Sequence, residues 1–372
     1  MTTTVLGAGY AGIMAANRLA GQGEEVVLIA PQPWLVERIR LHAVAGGTRA
    51  NARRDLSTLL NPAITVITDT ATRIDDDSVL LASGRVVRYD TLIYAVGSGA
   101  SSPSSSPSSS KAYEINSEHE ALRLRDALEL RPEASVTIIG AGLTGIELAA
   151  TLRRTGRAVR LVSAQLPQAG ATHVLLEELR KLGVQIEHGR VPDARSSASA
   201  HDDEITVNAT GLVVPRLAAD SGLPTDEHGR LLVNEQLTVE DHPRILGAGD
   251  AAFLSSPSAA YLRAACATAL PMGAYAADVV LARKKGNTIA PFAMGYALQC
   301  VDLGAAKGRV QFVHPDDSER RFALGGRAGG LLKETICRMT IRWLTQESTQ
   351  AGRYSWPSPP RALVANLASA AE

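Results

Sequence analysis

Cysteine is scarce, and what there is lies scattered. Cys266, Cys300 and Cys337 are the three in 372 residues, and none belongs to a Cys-x-x-Cys or Cys-x4-Cys pair. A dithiol–disulfide centre of the usual local type needs such a pair, so free thiols packed in the interior are expected. Net charge is absent too. Lys plus Arg number 38 and Asp plus Glu number 38, and nothing indicates a nucleic-acid partner. No apolar run approaches the roughly 20 residues that cross a bilayer. Met1–Thr4 lead straight into a strand, leaving no room for a signal peptide, which points to the cytoplasm. The composition, 45% hydrophobic and 20% charged, is that of a soluble globular protein, and the length calls for two or three domains.

Against these absences stand two copies of one glycine pattern. Gly7-Ala8-Gly9-Tyr10-Ala11-Gly12 follows Thr4-Val5-Leu6, and Gly140-Ala141-Gly142-Leu143-Thr144-Gly145 follows Val136-Thr137-Ile138-Ile139. Alanine recurs four residues beyond each last glycine, at Ala16 and Ala149. The pattern suits a strand that turns tightly into a helix. Its first glycine permits the turn, the second lets backbone approach a pyrophosphate, and the third lets helix pack on strand. The phosphates then meet unpaired N–H groups and the positive end of the helix dipole. One copy alone is a weak signal. Two imply two dinucleotides, one held as a prosthetic group and one exchanged as a substrate, with electron transfer between them.

The flanking segments read as α/β throughout. A βαβ unit ends in the strand Val26–Ile29, with shorter strands at Ile64–Ile67 and Val79–Leu81 and a buried one at Thr91–Gly97. Ser101–Ser110 is almost all Ser and Pro and reads as a loop or linker. A helix over Glu118–Leu130, a βαβ unit over Val136–Val162, a helix over Val174–Leu182 and strands at Val184–Ile186 and Ile205–Val207 follow, the last preceded by a Ser/Ala-rich loop at Ser196–Ala200. Beyond the strand Arg244–Leu246 come an Ala-rich helix over Ala259–Arg283, several strands from Phe292, and a helix over Leu331–Leu344. The tail past Gln350, with Pro357, Pro359 and Pro360, reads as poorly ordered or draped on the surface.

Four signatures in order, Gly7–Gly12, Tyr89–Gly97, Gly140–Gly145 and Ile245-Leu246-Gly247-Ala248-Gly249-Asp250, make the chain resemble FAD-dependent pyridine nucleotide-disulfide oxidoreductases over roughly residues 1 to 300. It is most similar to the branch of type II NADH dehydrogenases. The resemblance implies FAD as cofactor, NAD(P)H as co-substrate, and two Rossmann-like domains with a small C-terminal α+β domain. The FAD domain would comprise residues 1–111 and 240–290, the NAD(P)H domain 112–239 inserted between them, and the C-terminal domain 291–372.

Site residues follow from the same resemblance. Gly7, Gly9, Tyr10, Ala11 and Gly12 would hold FAD, with Ala30, Ala95, Gly97, Gly249, Asp250 and Ala269 around it. Thr70 and Ala71 resemble the family's backbone contact to the adenine. Arg38 or Arg40 is the candidate phosphate partner, since a guanidinium matches phosphate geometry. Gly140, Gly142 and Gly145 would hold NAD(P)H. Glu147 would lie at the nicotinamide–flavin junction and His42 near the reacting face, although a helix-surface glutamate and an ordinary core or surface histidine are the bland alternatives. A capping or turn aspartate is the alternative for Asp250. The helix expected to begin near Tyr261 would aim its positive end at the isoalloxazine.

Three features depart from the family pattern. No acid ends the second strand, which runs into Ala30-Pro31, so FAD is left to its other contacts. The corresponding strand of the second unit ends Ser163-Ala164-Gln165, and Arg160 makes no clear 2′-phosphate clamp, so the choice between NADH and NADPH stays open with NADH slightly favoured. The segment Leu262–Pro271 lacks the glutamines that line a quinone slot in similar proteins. The expected activity is hydride transfer from NAD(P)H to flavin and on to a quinone or other small-molecule acceptor. The alternatives are a tailoring oxidoreductase of a specialised metabolite and a low-turnover flavin-binding sensor or structural protein. The basic, apolar helix Leu332–Leu344 could lie on an anionic membrane, but covering a domain face or pairing with a second subunit is the favoured reading.

Overall fold

The computed structural model describes residues 1–99, 112–189, 203–256 and 259–360. The Ser/Pro segment at 101–110, the Ser/Ala-rich loop at 196–200 and the end of the tail lie outside these. Eight α-helices occur among the described residues: α1 Tyr10–Ala20, α2 Leu41–Ala45, α3 Glu118–Leu130, α4 Leu143–Arg154, α5 Gly170–Lys181, α6 Leu217–Asp220, α7 Cys266–Lys284 and α8 Gly326–Thr349.

The first large sheet has six strands, in the order Thr238–Val239, His242–Gly247, Thr91–Tyr94, Thr2–Leu6, Glu25–Ala30, Thr65–Thr68. All pair in parallel except the Thr238–Val239 edge. Leu6 stands in register with both Ile29 and Tyr94, and Gly247 with Tyr94. Gly7, Ala30, Ala95 and Ala248 therefore emerge together at the carboxyl edge, where open α/β sheets bind their ligands. Strands from two distant stretches share this sheet, and the intervening chain builds a second one. Its five strands run Tyr113–Glu114, Glu204–Asn208, Ser135–Ile139, Val159–Ser163, Gln185–His188, all parallel. Parallel pairing buries both faces, and Val5, Leu28, Ile93, Ile138, Leu161 and Val207 are fully enclosed. The architecture is α/β with two Rossmann-like units, one discontinuous.

Two apolar cores serve the described residues, one per large sheet. Val214, Leu217, Leu231, Val233 and Val239 pack into the first core, so the second piece of the first unit begins upstream of the expected residue 240. The C-terminal antiparallel sheet, Leu298–Asp302, Gly308–Val313 and Glu319–Leu324, adds to both cores, with Val313 in the first and Val301 in the second. Helix α8 lies across this sheet and α1, covering a domain face.

Local differences from expectation have tertiary causes. The Ala-rich stretch from Ala259 does not start an α-helix. The Arg263 N–H is drawn to the Tyr296 hydroxyl, 2.7 Å away, and α7 begins only at Cys266. Helix α8 starts earlier than expected, because Gly329 and Gly330 let it seat on the Gly308 and Ala306 backbone, where a Cβ would stand 2.4 and 2.3 Å from carbonyl oxygens. The described part of the tail, to residue 360, runs over the surface but is anchored to it. Glu347 accepts the Gly352 and Tyr354 N–H groups at 2.6 and 2.8 Å, and the Trp356 indole donates to the Ala293 carbonyl at 3.0 Å.

Helices α1 and α7 cross at Gly273, where a Cβ would stand 2.2 Å from the Ala11 carbonyl oxygen. Gly273→Ala should therefore cost about 1–3 kcal/mol from overpacking. Denaturant midpoints measure this, and an unchanged midpoint would mean that the two helices can part.

Candidate active site

The two glycine turns fold alike, position by position. Gly7 and Gly140 hold φ of +103° and +109°, and a Cβ on Gly7 would stand 2.3 Å from the Ala95 carbonyl oxygen. A Cβ at Gly12 would lie 1.9 Å from Gly7 O, and one at Gly145 2.0 Å from Gly140 O. The middle glycines differ sharply, since Gly9 and Gly142 have nothing within 4 Å of a built Cβ. These two residues are the N-caps of α1 and α4, with no side-chain cap and no acid in the first turn of either helix. Each turn thus offers uncapped helix N–H groups to open space framed by backbone. That is the donor set and the room a pyrophosphate requires.

Several predicted residues gather at the first turn. Gly249 brings its Cα close to Ala11 and Ala269, with 3.1 and 3.8 Å from a built Cβ to their methyl carbons. Asp250 accepts a hydrogen bond from Ser98 Oγ at 2.8 Å, and Arg38 Nη1 donates to the carbonyl and hydroxyl oxygens of Ser98. Burial pulls the Arg38 pKa below the usual guanidinium value, with Asp250 opposing. Arg40 lies elsewhere, in ion pairs with Glu334 and Glu37. Of the two arginines, only Arg38 adjoins Asp250. Gly97 faces open space, and Tyr10, at the first position of α1, is buried with its hydroxyl toward the Thr340 side chain.

At the sheet edge, the Ala30 carbonyl accepts the Asp69 N–H at 2.9 Å, and Thr70 and Ala71 follow in the chain. Asp69 is half-buried, and the Ser83 hydroxyl and the Thr70 N–H hold its carboxyl below the ordinary pKa. It brings an acid beside the strand end where none was found in sequence. The pairing of Glu25–Ala30 with Thr65–Thr68 carries Asp69 there, and a parallel βαβ layout was the available signal.

The second turn is walled by Ala209 and Thr210. Behind it Arg160 is committed to Glu204 at 3.0 Å and Glu187 at 3.4 Å.

Glu147 and His42 meet in a third group that joins both units to the C-terminal segment. Glu147 Oε1 accepts from Lys333 Nζ and, at 2.9 Å, from the Asp302 N–H. His42 stands between two carboxylates, with Nδ1 3.4 Å from Glu147 and Nε2 3.6 Å from Asp302. Lys333, Glu147 and His42 are 6%, 8% and 4% exposed, so these charges stand or fall together. Burial works against the Lys333 ammonium, but Glu147 outweighs it and raises the Lys333 pKa well above its ordinary value. Burial likewise disfavours the Asp302 carboxylate, yet His42 and the Gly304 N–H hold its pKa below the usual range. Sequence reasoning missed Lys333 and Asp302, because no local pattern links α4 to residues so far downstream.

These turns and their order decide the relationship, and a family profile described as pyridine nucleotide-disulphide oxidoreductase matches residues 1–278. The chain belongs to that family. It is an oxidoreductase that works with FAD and NAD(P)H. An NADH dehydrogenase-like protein of Mycobacterium tuberculosis is 26% identical over 374 residues, 89% of this chain and 92% of that protein. Among solved structures, a sulfide:quinone oxidoreductase from Aquifex aeolicus superposes with a TM-score of 0.76 at 16% identity, covering 94% of this chain and 93% of its own. NDH2 of Plasmodium falciparum, solved with NADH, gives 0.71 at 14% identity over 96% and 99%. At these identities the two structures show a shared fold.

The disulphide of the family description has no counterpart in bonded sulfur, for all three cysteines are free. Desolvation pushes the Cys266 thiol up to about 12 and Cys337 to about 11, and raises Cys300. At neutral pH they are thiols rather than thiolates, poor nucleophiles for disulfide exchange. No helix among the described residues is long and apolar enough to cross a membrane.

Proposed function

We propose that this protein holds FAD at Gly7–Gly12, takes hydride from NADH bound at Gly140–Gly145, and passes the electrons to a small-molecule acceptor in the cytoplasm. The carrying observation is the matched pair of turns, each with its middle glycine open and its helix uncapped. Residues 1–111 and 240–290, with the stretch from 214 that packs beneath them, would form the FAD unit, and the second sheet the NADH unit. Bound FAD supplies the two-electron chemistry. The chain supplies position. Ala30, Thr70 and Ala71 would meet the adenosine end, Arg38 the phosphates, and Asp250 with Ser98 the sugar-alcohol chain. Glu147, fixed by Lys333 and the Asp302 N–H, would orient the nicotinamide carboxamide, with His42 holding it from the other side. Positioning of this kind accounts for much of the rate in hydride transfer between bound rings.

A preference for NADH follows from Arg160. Its guanidinium is already taken by two carboxylates, and Glu187 stands in register with Val162 next to the strand end that would carry the adenosine ribose. Among the described residues, a 2′-phosphate would meet negative charge there without a free cation. Anaerobic rapid mixing should show flavin bleaching with NADH on the order of tenfold more efficient than with NADPH, a difference of about 1.4 kcal/mol. Equal efficiencies would refute the preference, and no bleaching with either nucleotide would refute the activity.

A further inference from the structure

We propose that Tyr296 is a positioning residue for the flavin: its hydroxyl fixes where α7 begins and thereby sets the reduction potential of the bound group. This rests on the reading above that flavin lies at the first turn, with the start of α7 toward its ring. Nothing in the local sequence stops α7 at Cys266. The seven residues before it are Ala259-Ala260-Tyr261-Leu262-Arg263-Ala264-Ala265, without glycine, proline or a β-branched side chain. Ala, Leu and Arg stand at the top of the helix propensities. The chain is nevertheless extended at Ala265, with φ −160° and ψ 159°.

The Tyr296 hydroxyl straddles that break. On one side it accepts the Arg263 N–H at 2.7 Å, and on the other it pairs with Thr268 Oγ1 at 2.6 Å, inside the first turn of the helix. Accepting from Arg263 leaves the phenol proton for Thr268. Tyr296 and Thr268 are both buried. The ring is held as firmly as the hydroxyl. It stands edge-on to Tyr261 with centroids 6.1 Å apart, and the Arg263 guanidinium covers it at 4.3 Å. Its backbone is tied from outside α7, for the Tyr296 N–H meets the Pro315 carbonyl at 3.0 Å and the Gly295 N–H meets the Pro357 carbonyl at 2.9 Å. The C-terminal segment and the tail therefore anchor the clamp.

What the clamp places is a bare helix end. Ala265, the N-cap of α7, offers no side-chain cap, and the first turn carries no acid. That turn packs against Gly249, next to Asp250, through Ala269. The positive end of α7 then favours the negative charge that reduction puts on bound flavin. Without the hydroxyl the helix is free to wind back through the Ala-rich stretch, and one added turn carries its first N–H groups about 5 Å away. The oxidised group loses little by this, and the reduced one loses its partner.

Tyr296→Phe removes the hydroxyl and keeps the ring. In anaerobic reductive titration of the FAD-loaded protein against a reference dye, reduced flavin should lose about tenfold in affinity relative to oxidised flavin, a midpoint about 30 mV more negative. Tyr261→Phe is the comparison. It removes the neighbouring hydroxyl, which donates to the Met294 carbonyl, and leaves the Arg263 N–H and Thr268 alone. Its melting temperature should fall by a similar amount while its midpoint stays. Should Tyr296→Phe fail to fold, Thr268→Val removes the other end of the clamp and is read by the same criteria. An unchanged midpoint in Tyr296→Phe, equal shifts in Tyr296→Phe and Tyr261→Phe, or a folded Tyr296→Phe protein that no longer holds FAD overturns the proposal. FAD uptake by the unsubstituted protein is scored separately. If that fails, the underlying reading of the first turn fails, and the proposal with it.

Discussion

Gly9→Asp should give a folded protein without flavin, and Gly142→Asp a yellow protein that NADH cannot reduce. Neither glycine needs its conformational freedom, for Gly9 sits at φ −83°, ψ −174° and Gly142 at φ −71°, ψ 171°, both in the extended region. Neither Cβ would touch anything within 4 Å. Aspartate is in fact a preferred N-cap, adding roughly a few tenths of a kcal/mol over glycine through a bond to the uncapped first turn. Its carboxylate would then occupy and neutralise the donors that a pyrophosphate requires. Loss of dinucleotide affinity should reach at least about 100-fold, or about 2.7 kcal/mol. Melting temperatures should hold or rise slightly, which separates this effect from misfolding. Gly12 and Gly145 are the controls, since a side chain there collides with the backbone of the turn itself. Retained flavin in the Gly9 variant would show that α1 does not carry the phosphates.

Lys333→Met should destabilise the protein by about 3–5 kcal/mol, the cost of leaving one partner of a buried pair uncompensated. Glu147 would remain enclosed with only His42 and one backbone N–H. The double variant Lys333→Met with Glu147→Leu should recover most of the loss, because neither charge is then stranded. Denaturant midpoints with unchanged slope would measure both. The pH dependence has a definite sign. Lys333 titrates above its unfolded value when folded, so its contribution is complete below about pH 10 and fades as pH rises further. Asp302 titrates below its unfolded value, so its contribution is present above about pH 4 and lost on acidification. Stability should therefore be flat between these limits as far as these two groups decide it. A single Lys333 variant as stable as the unsubstituted protein would mean the pair is not buried in solution.

What could be read in advance was governed by local sterics. The glycine turns are legible because tight turning and close helix packing each demand glycine at a fixed offset, whatever the rest of the chain does. Helix α3 lies within its expected bounds because Ser117 caps it, accepting the Glu120 N–H. Elements decided by distant partners were not legible. The start of α7 depends on the Tyr296 hydroxyl, the glycine-rich start of α8 on the backbone of Gly308, and the packed tail on Glu347. The choice of Arg38 over Arg40 rested on Ser98 and Glu334, on opposite sides of one short helical turn. Asp69 and Lys333 reach their places only through sheet pairing and the packing of α8.

The central claim is two dinucleotides on two turns, and stoichiometric binding tests it most directly. Flavin-free protein should take up one FAD per chain, and the reloaded protein one NADH per chain. Gly9→Asp should abolish the first binding event and Gly142→Asp only the second. A single dinucleotide per chain, or the same substitution abolishing both events, would contradict the account.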